Sequence, residues 1–277
     1  MHQSQKEPLQ KIIPRKELFL LDLDGTTYIE NRLIPGALDF LNKITAQNKQ
    51  YIFLTNNSSK SNSDYVRKIN NLGISAGPDN VFTSGQATAV YVTGKKTKPA
   101  IYCVGTQSLK EELESYGITI LESDIDNADF LVIGFDMELE YHKLEKACYL
   151  LSIGKPYIAT HPDLVCPVKD NRFIPDCGSF CQMLENATGR TPTYIGKPDK
   201  KMITLLCEQR GISLEKAVMI GDRLYTDIAV GLNAGVTTFC VLSGESTMED
   251  IRKSEFQPDF VIESIAELNR YLQDDLE

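Results

Sequence analysis

Two aspartates at the end of an apolar run have the spacing of a reactive carboxylate pair. Asp22 and Asp24 directly follow the run 18–21, and Gly25 allows the chain to turn there so that the two side chains diverge. One carboxylate could then attack a phosphorus atom while the other transfers protons. The alternative is an ordinary Asp-Gly surface turn.

A second acidic pair, Asp222 and Asp227, follows the apolar run 217–221 and opens a predicted helix. These residues could simply cap the helix or charge its first turn. The functional alternative is that Asp222 meets Asp22 and Asp24 around a hard divalent ion. Clustered carboxylates repel one another without a cation, and oxygen ligands select Mg²⁺.

Two other strand ends carry polar groups that suit a phosphate. Thr55, Asn56 and Asn57 follow the run 50–54 and offer a hydroxyl, two amides and backbone N–H groups, although a helix N-cap has the same composition. Lys197 follows a short strand, whereas most single lysines are only solvated. Ligands bind outside the carboxyl ends of parallel strands, so four such ends in this order are a stronger signal than any one alone.

The elements that would position these residues alternate between short apolar runs and amphipathic stretches. Strands are predicted near 18–21, 50–54, 100–104, 130–134, 156–160, 193–195, 217–221, 237–242 and 259–262. Helices are predicted near 35–48, 64–72, 106–116, 141–153, 179–188, 200–210, 226–234 and 264–273. This alternation predicts an α/β fold with a largely parallel sheet and helices on both faces. Turn-rich stretches near 83–85 and 175–179 bracket about ninety residues, enough for an inserted domain.

The composition of the chain disfavours several classes of protein. The 277 residues carry a net charge of −9, which disfavours a nucleic-acid partner. No apolar run reaches the ~18 residues that span a membrane, and the polar residues 1–16 predict a flexible arm rather than a signal peptide. Seven scattered cysteines predict reduced thiols and a cytoplasmic protein. Cys177 and Cys181 have no companion ligands, which disfavours zinc.

These residues resemble the motifs of the haloacid dehalogenase (HAD) superfamily, and most closely its NagD-like, p-nitrophenyl-phosphatase-like subfamily. The run Asp22-Leu23-Asp24-Gly25-Thr26 is similar to the first motif, Thr55 to the second, Lys197 to the third, and the stretch 221–227 to the fourth. Subfamily features are similar at Thr55-Asn56-Asn57, Thr83-Ser84, Gly134-Phe135-Asp136, Ala159-Thr160, Gly178-Ser179 and Ile195-Gly196-Lys197-Pro198.

The resemblance implies a Rossmann-like core domain, 17–84 plus 181–277, with an inserted α/β cap domain at 85–180. It implies a phosphatase in which Asp22 is the nucleophile and Asp24 the general acid and base. Phosphate binding is assigned to Thr55, Asn56, Asn57 and Lys197, with Lys197 also counted as catalytic. The Mg²⁺ ligands are Asp22, Asp222 and Asp24, the last through its backbone carbonyl, and Asp227 supports this site.

Several points stay open at this stage. The same half-reaction serves a phosphotransferase or mutase, and a non-catalytic phosphometabolite-binding regulator is a further alternative. The expected partner is a small phosphorylated metabolite, and an exposed cap face is a candidate surface for a homodimer. His161 and the stretch 175–178 depart from the residues usual in relatives, where asparagine and small residues are expected, so the substrate is not identified.

Overall fold

The apolar runs form the strands of two parallel sheets in the computed structural model, which describes residues 8–168 and 172–272. In chain order the strands are β1 (Leu18–Leu21), β2 (Tyr28–Ile29), β3 (Arg32–Leu33), β4 (Gln50–Thr55), β5 (Val81–Thr83), β6 (Ala100–Val104), β7 (Thr119–Ile120), β8 (Phe130–Ile133), β9 (Tyr157–Ala159), β10 (Val165–Val168), β11 (Arg172–Pro175), β12 (Thr193–Tyr194), β13 (Ala217–Gly221), β14 (Thr237–Val241) and β15 (Phe260–Ile262).

The first helix precedes β1, and the others lie between successive strands. They are α1 (Leu9–Ile12), α2 (Ala37–Ala46), α3 (Asn62–Asn71), α4 (Ser84–Lys95), α5 (Gln107–Ser115), α6 (Tyr141–Ser152), α7 (Cys177–Thr188), α8 (Lys201–Arg210), α9 (Ala229–Ala234) and α10 (Met248–Lys253). The α/β prediction is confirmed. None of the helices in the described part of the chain has the length and apolar character needed to span a membrane.

The chain divides into two compact units. The first unit comprises Met1–Leu54, Ile69–Asn80 and Cys207–Glu277, and the second comprises Thr55–Lys68 and Val81–Leu206. The predicted cap, 85–180, falls inside the second unit. The boundaries of the predicted domains stay a prediction.

The strands of the first unit run in the order β15-β14-β13-β1-β4, and all of these pairs are parallel. Strands β1 and β13 are buried along their whole length, as expected for central strands covered on both faces. Leu21 at the end of β1 pairs with Ile220 near the end of β13. The residues that follow these two strands therefore emerge side by side at one edge of the sheet.

The second unit has its own parallel sheet in the order β12-β9-β8-β6-β7, together with the antiparallel hairpin β10-β11. Its core includes Leu131, Ile133, Phe135 and Phe180. Strand β12 pairs with β9, so residues beyond 180 contribute to this sheet. The loops after β9 and β12 are consequently neighbours.

The start of the chain differs from the predicted flexible arm. Residues 1–7 lie outside the described part of the chain. Residues 9–12 form α1, a 3₁₀ turn follows at Ile13–Arg15, and the Ile13 side chain is fully buried. The Lys16 ammonium donates to the Glu215 carbonyl and the Thr237 hydroxyl, both at 2.7 Å. An apolar anchor and two partly buried hydrogen bonds thus order residues 8–16.

Short elements account for most of the other differences. The hairpins β2-β3 and β10-β11, strands β5 and β7, and helix α10 were not predicted, since two to six residues give too little periodicity. The predicted helix at 264–273 is a 3₁₀ helix, Ile265–Tyr271, and residue 273 lies outside the described residues.

Candidate active site

Asp22 stands immediately beyond β1, with its backbone fixed by the neighbouring strand. Its N–H donates to the Ile220 carbonyl at 2.9 Å, and its carbonyl accepts from the Thr27 hydroxyl at 2.9 Å. The residue is 9% exposed. The carboxylate is thus held at a sheet edge, largely out of water, as a nucleophile requires.

Asp222 occupies the equivalent position beyond β13. One carboxylate oxygen accepts from the Glu245 N–H at 2.7 Å, and the other accepts from the Thr26 hydroxyl at 3.3 Å. A Cβ on either Gly25 or Gly244 would overlap the Asp222 carboxylate. These two glycines are therefore required for backbone to approach the acid from two sides.

Asp227 lies on a single π-helical turn, Leu224–Ile228, that precedes α9. It is fully buried, and its carboxylate accepts from the Arg223 N–H at 3.1 Å. A Cβ on Gly221 would overlap the Asp227 side chain. The wider π-turn and the adjacent glycine bring this acid to the strand end, a feature often found at functional sites.

The carboxylates of Asp22, Asp222 and Asp227 converge. Each offers an oxygen atom, and these atoms all lie within 4.8 Å of one another. Burial, together with the charge of Asp227, raises the pKa of Asp222 to about 6. This unfavourable concentration of negative charge, built from oxygen donors alone, fits a hard divalent cation such as Mg²⁺.

Asp24 takes a different position from Asp22, as the turn at Gly25 predicts. Gly25 has a φ of 82°, in the left-handed region that favours glycine. The Asp24 side chain is exposed, and its carboxylate accepts from the Tyr28 hydroxyl at 3.3 Å. Its carboxylate is not one of the three that converge. The exposed position suits a group that exchanges protons with a leaving group or water.

Arg223 and Glu245 border the acidic cluster. The Arg223 Nε atom lies 2.9 Å from a Glu245 carboxylate oxygen. Burial disfavours the guanidinium charge, but Asp22, Tyr225, Asp227 and Glu245 outweigh it and raise the pKa of Arg223. The arginine therefore contributes fixed positive charge beside three acids.

Sequence reasoning missed the loop after β14. The Ser243 hydroxyl donates to the Gly25 carbonyl at 2.7 Å, while Gly244 and Glu245 approach Asp222. A signal was present, because Ser-Gly directly follows the apolar run 237–242 and so marks a fifth strand end. Serine and glycine do not by themselves indicate a catalytic or metal-binding role. This loop contacts Asp222 through its backbone.

The predicted phosphate-binding residues belong to the second unit. The Asn56 side-chain oxygen accepts from the Lys197 N–H, and its NH₂ group donates to the Lys197 carbonyl, both at 2.8 Å. The Thr55 hydroxyl accepts from the Asn57 N–H at 3.2 Å. Asn57 itself accepts from the Ser59 N–H and hydroxyl and so shapes the local turn. The structure thus brings Asn56 and Lys197 together across 141 residues of sequence.

Family models match both ends of the chain. Residues 19–119 match the model described as haloacid dehalogenase-like hydrolase, and residues 194–268 match the model described as HAD-hydrolase-like. These two matches contain the aspartate pair at 22 and 24, Thr55, Lys197 and the acidic pair at 222 and 227. All four predicted motifs thus fall within matched regions.

Named relatives cover almost the full chain. An acid sugar phosphatase of Staphylococcus haemolyticus is 32% identical over 259 residues, which is 92% of this chain and 97% of that protein. The ribonucleotide monophosphatase NagD of Escherichia coli is 35% identical over 251 residues, which is 90% of this chain and 97% of that protein. This chain is 43% identical in sequence to a 4-nitrophenylphosphatase from Thermotoga maritima. Its fold matches the crystal structure of that protein with a TM-score of 0.89 over 96% of this chain and 100% of that chain.

Proposed function

We propose that this chain, which belongs to the haloacid dehalogenase-like hydrolase family, is a Mg²⁺-dependent phosphatase of small phosphorylated metabolites that works through an aspartyl-phosphate on Asp22. It is a phosphoric monoester hydrolase of that family. The observation that carries the proposal is the convergence of three largely buried carboxylates, Asp22, Asp222 and Asp227, at adjacent strand ends.

The metal is assigned from the chemistry of this cluster. Asp22 and Asp222 would hold Mg²⁺, with the backbone carbonyl of Asp24, and Asp227 adds a third carboxylate beside them. When bound, the ion would offset the repulsion between an anionic nucleophile and a dianionic ester. The hydrogen bonds from Thr26 and Glu245 orient Asp222 for this role.

The chain's own residues carry the two chemical steps. A carboxylate oxygen of Asp22 forms a bond to phosphorus as the bond from phosphorus to the ester oxygen breaks, and Asp24 gives its proton to the leaving alkoxide. Asp24 then takes a proton from the water that attacks the phosphorus of the acyl phosphate. Inorganic phosphate leaves and Asp22 is regenerated. Tyr28 holds Asp24 in place between these two proton transfers.

Phosphate recognition is assigned to Thr55, Asn56, Asn57 and Lys197. Lys197 supplies positive charge for the non-bridging oxygens, where charge develops in the transition state. Its side chain is nearly buried at 3% exposure, which strengthens its electrostatic effect. The assignment is supported by the order of the motifs along the chain and by the Asn56–Lys197 hydrogen bonds.

Asp24→Asn tests the intermediate. p-Nitrophenolate leaves without protonation, so this variant should still transfer phosphate to Asp22 but hydrolyse the acyl phosphate slowly. Acid-quenched intact-mass spectrometry should then show a phosphorylated protein, and the matched Asp22→Asn variant should show none. With alkyl phosphates, turnover by Asp24→Asn should fall by about 10²–10⁴-fold. No phosphorylated species under any quench would sink the covalent mechanism.

The substrate requires a direct screen. The relatives named as acid sugar phosphatase and ribonucleotide monophosphatase place sugar phosphates and ribonucleoside monophosphates first in a panel of phosphorylated metabolites. Phosphate release with and without acceptor alcohols separates a hydrolase from a phosphotransferase or mutase. Turnover of any member excludes the non-catalytic regulator.

The proposal also includes a cytoplasmic location and a homodimer formed through the inserted cap. All seven cysteines are thiols rather than disulfides within the described part of the chain, which supports a reducing compartment. Tyr141 and Phe173, both in the cap, are 82% and 65% exposed, and large apolar side chains of this kind support an interface there. A monomeric mass by light scattering would remove the dimer from the proposal.

A further inference from the structure

The second unit contains a buried imidazole that the two chemical steps do not use. His161 follows β9, and its side chain is fully buried. Its Nδ1 atom lies 3.4 Å from an Asp163 carboxylate oxygen, and its Nε2 atom lies 3.5 Å from an Asp176 carboxylate oxygen. Neither ring nitrogen has a hydrogen-bond partner among the described residues, so both contacts are electrostatic.

One of these carboxylates connects His161 to the predicted phosphate-binding lysine. The Asp163 oxygen that faces His161 also accepts from the Asn56 NH₂ group at 3.0 Å. Asn56 uses its remaining side-chain groups on the backbone N–H and carbonyl of Lys197. A continuous series of contacts therefore runs from His161 through Asp163 and Asn56 to the Lys197 backbone.

The loop that carries Lys197 is also packed directly against the loop that carries His161. The Gly196 N–H donates to the Thr160 carbonyl at 2.7 Å. A Cβ on Gly196 would lie 2.6 Å from both the Asn56 oxygen and the Thr160 carbonyl, and 3.0 Å from the Cβ of His161. The two loops are closely packed with no space between them, so a shift of one loop displaces the other.

The carboxylates beside His161 favour its positive charge. Asp163 faces it from its own loop, Asp176 and Cys177 face it from the start of α7, and Lys197 lies beyond Asp163 on the loop after β12. Burial disfavours the imidazolium, but the Cys177 sulfur and the carboxylates of Asp163 and Asp176 outweigh it and raise the pKa of His161 to about 9. A neutral ring would leave the partly exposed Asp163 carboxylate and the buried Asp176 carboxylate without the positive charge that lies within 3.5 Å of each.

We propose that His161, as an imidazolium ion, is a positioning residue that holds Asp163 against Asn56 and thereby fixes the backbone of Lys197. The inference rests on the proposed function, because it takes Lys197 as the group that binds phosphoryl oxygens. In this role His161 acts through Asp163 and Asn56 rather than on the substrate. It compensates the charge of the carboxylate that orients the Asn56 amide.

The test compares His161→Gln with Asp163→Asn, their double variant and Asp176→Asn. Steady-state kinetics on p-nitrophenyl phosphate with Mg²⁺ give kcat and KM, and competition gives the inhibition constant of inorganic phosphate. His161→Gln should weaken phosphate inhibition and lower kcat/KM, each by roughly 10–100-fold. Asp163→Asn in that background should restore part of the loss, because it removes the uncompensated, partly exposed charge.

Asp176→Asn is the matched control. It removes a carboxylate at nearly the same distance from His161, and the substituted side chain keeps the oxygen that caps the helix. Among the described residues, no hydrogen bond joins Asp176 to Asn56, whose side chain bonds to Asp163 and Lys197 instead. Its phosphate inhibition constant should stay close to the wild-type value. A loss as large as that of His161→Gln would mean that the cluster serves stability alone and would overturn the proposal.

A second measurement uses the wild-type protein and does not depend on how the variants fold. The pKa of His161 lies above its ordinary value, so the positive charge is present at neutral pH and is lost as pH rises through about 9. Nitrogen-15 NMR of the imidazoles should show one of the three histidines titrating in that range, identified by its absence from His161→Gln. Phosphate inhibition of the wild type should weaken over the same range, and that of His161→Gln should not.

The two proposals fail in different ways. A wild-type protein that hydrolyses no phosphate ester would overturn the proposed function, whatever the titration of His161. An active wild type whose His161 is neutral at pH 7.5, or whose His161→Gln variant keeps wild-type phosphate inhibition, would overturn only the positioning role.

Discussion

Each of the two units buries acidic side chains, and the two groups balance their negative charge differently. In the first unit, Asp22, Asp222 and Asp227 converge, and burial with like charge raises the pKa of Asp222 to about 6. In the second unit, burial also opposes the charge of Asp163, but His161, Asn56 and Lys197 hold its pKa below the ordinary range.

The difference supports the role proposed for each group of acids. The second cluster carries its own cation, His161, and is complete as the chain folds. The first cluster has Arg223 beside three carboxylates, so its negative charge is not balanced by that side chain. Under the proposed function, this excess charge binds a metal ion and attacks phosphorus. A protein retains such a charge imbalance where chemistry requires it.

Removing a carboxylate from each cluster should give the largest contrast. Asp22→Asn removes the nucleophile and should lower kcat on p-nitrophenyl phosphate by on the order of 10⁴-fold or more. Asp176→Asn, the same change in the second cluster, should keep most of the activity because that acid contacts no reacting group. Comparable losses of activity in the two variants would contradict the difference in role between the two clusters.

Mg²⁺ should raise the melting temperature of the protein through the acids of the first cluster and not through those of the second. Mg²⁺ at about 100 times its Kd should raise the wild-type Tm by roughly 5 °C or more, since it binds only the folded state. Asp222→Asn should lose most of that increase, whereas Asp163→Asn should keep it. Differential scanning calorimetry at matched ionic strength, with Ca²⁺ and Na⁺ as controls, measures the shift.

The same shift should depend on pH. The pKa of Asp222 is raised above its ordinary value, so the acid is protonated below about pH 6 and competes with the metal there. The increase in Tm should therefore grow as pH rises from 5 to 7. Over the same range the metal-free protein should lose stability, since the charged form of a buried acid is disfavoured. A Mg²⁺ shift equal at pH 5 and pH 7 would contradict this assignment.

The smallest expected effects come from two glycine substitutions. A Cβ on Gly244 would overlap the Asp222 carboxylate, so Gly244→Ala should displace that acid and reduce both the Mg²⁺ shift and kcat/KM, the latter by roughly 10-fold. Gly94, in helix α4, has open space around its Cβ position. Gly94→Ala should leave activity unchanged and stabilise the protein by about 0.5–1 kcal/mol. Similar activities for the two variants would show that the Gly244 loop has no role in the site.

The sequence predicted the class of fold and the principal acids. The long apolar runs of β1, β4 and β13 indicated buried parallel strands, and Asp22, Asp24 and Asp222 were predicted as site residues because ligands bind at strand ends. The two-residue strands and the six-residue helix α10 carried too little periodicity to be seen. The prediction of a flexible arm was wrong for residues 8–16, because the burial of Ile13 depends on its tertiary contacts and not on the local sequence.

The tertiary structure alone decided how the charged groups are paired. The π-turn placed Asp227 within the acidic cluster, and the Gly244 loop supplied the Glu245 N–H to Asp222. The sequence indicated that His161 was either a loop residue or a substrate contact, and only the fold placed it between Asp163 and Asp176. The physical reason is that residue type and spacing record local backbone preference, whereas electrostatic partners are set by which loops meet in space. Asp22 was therefore identifiable from the chain, and its surrounding charge balance was not.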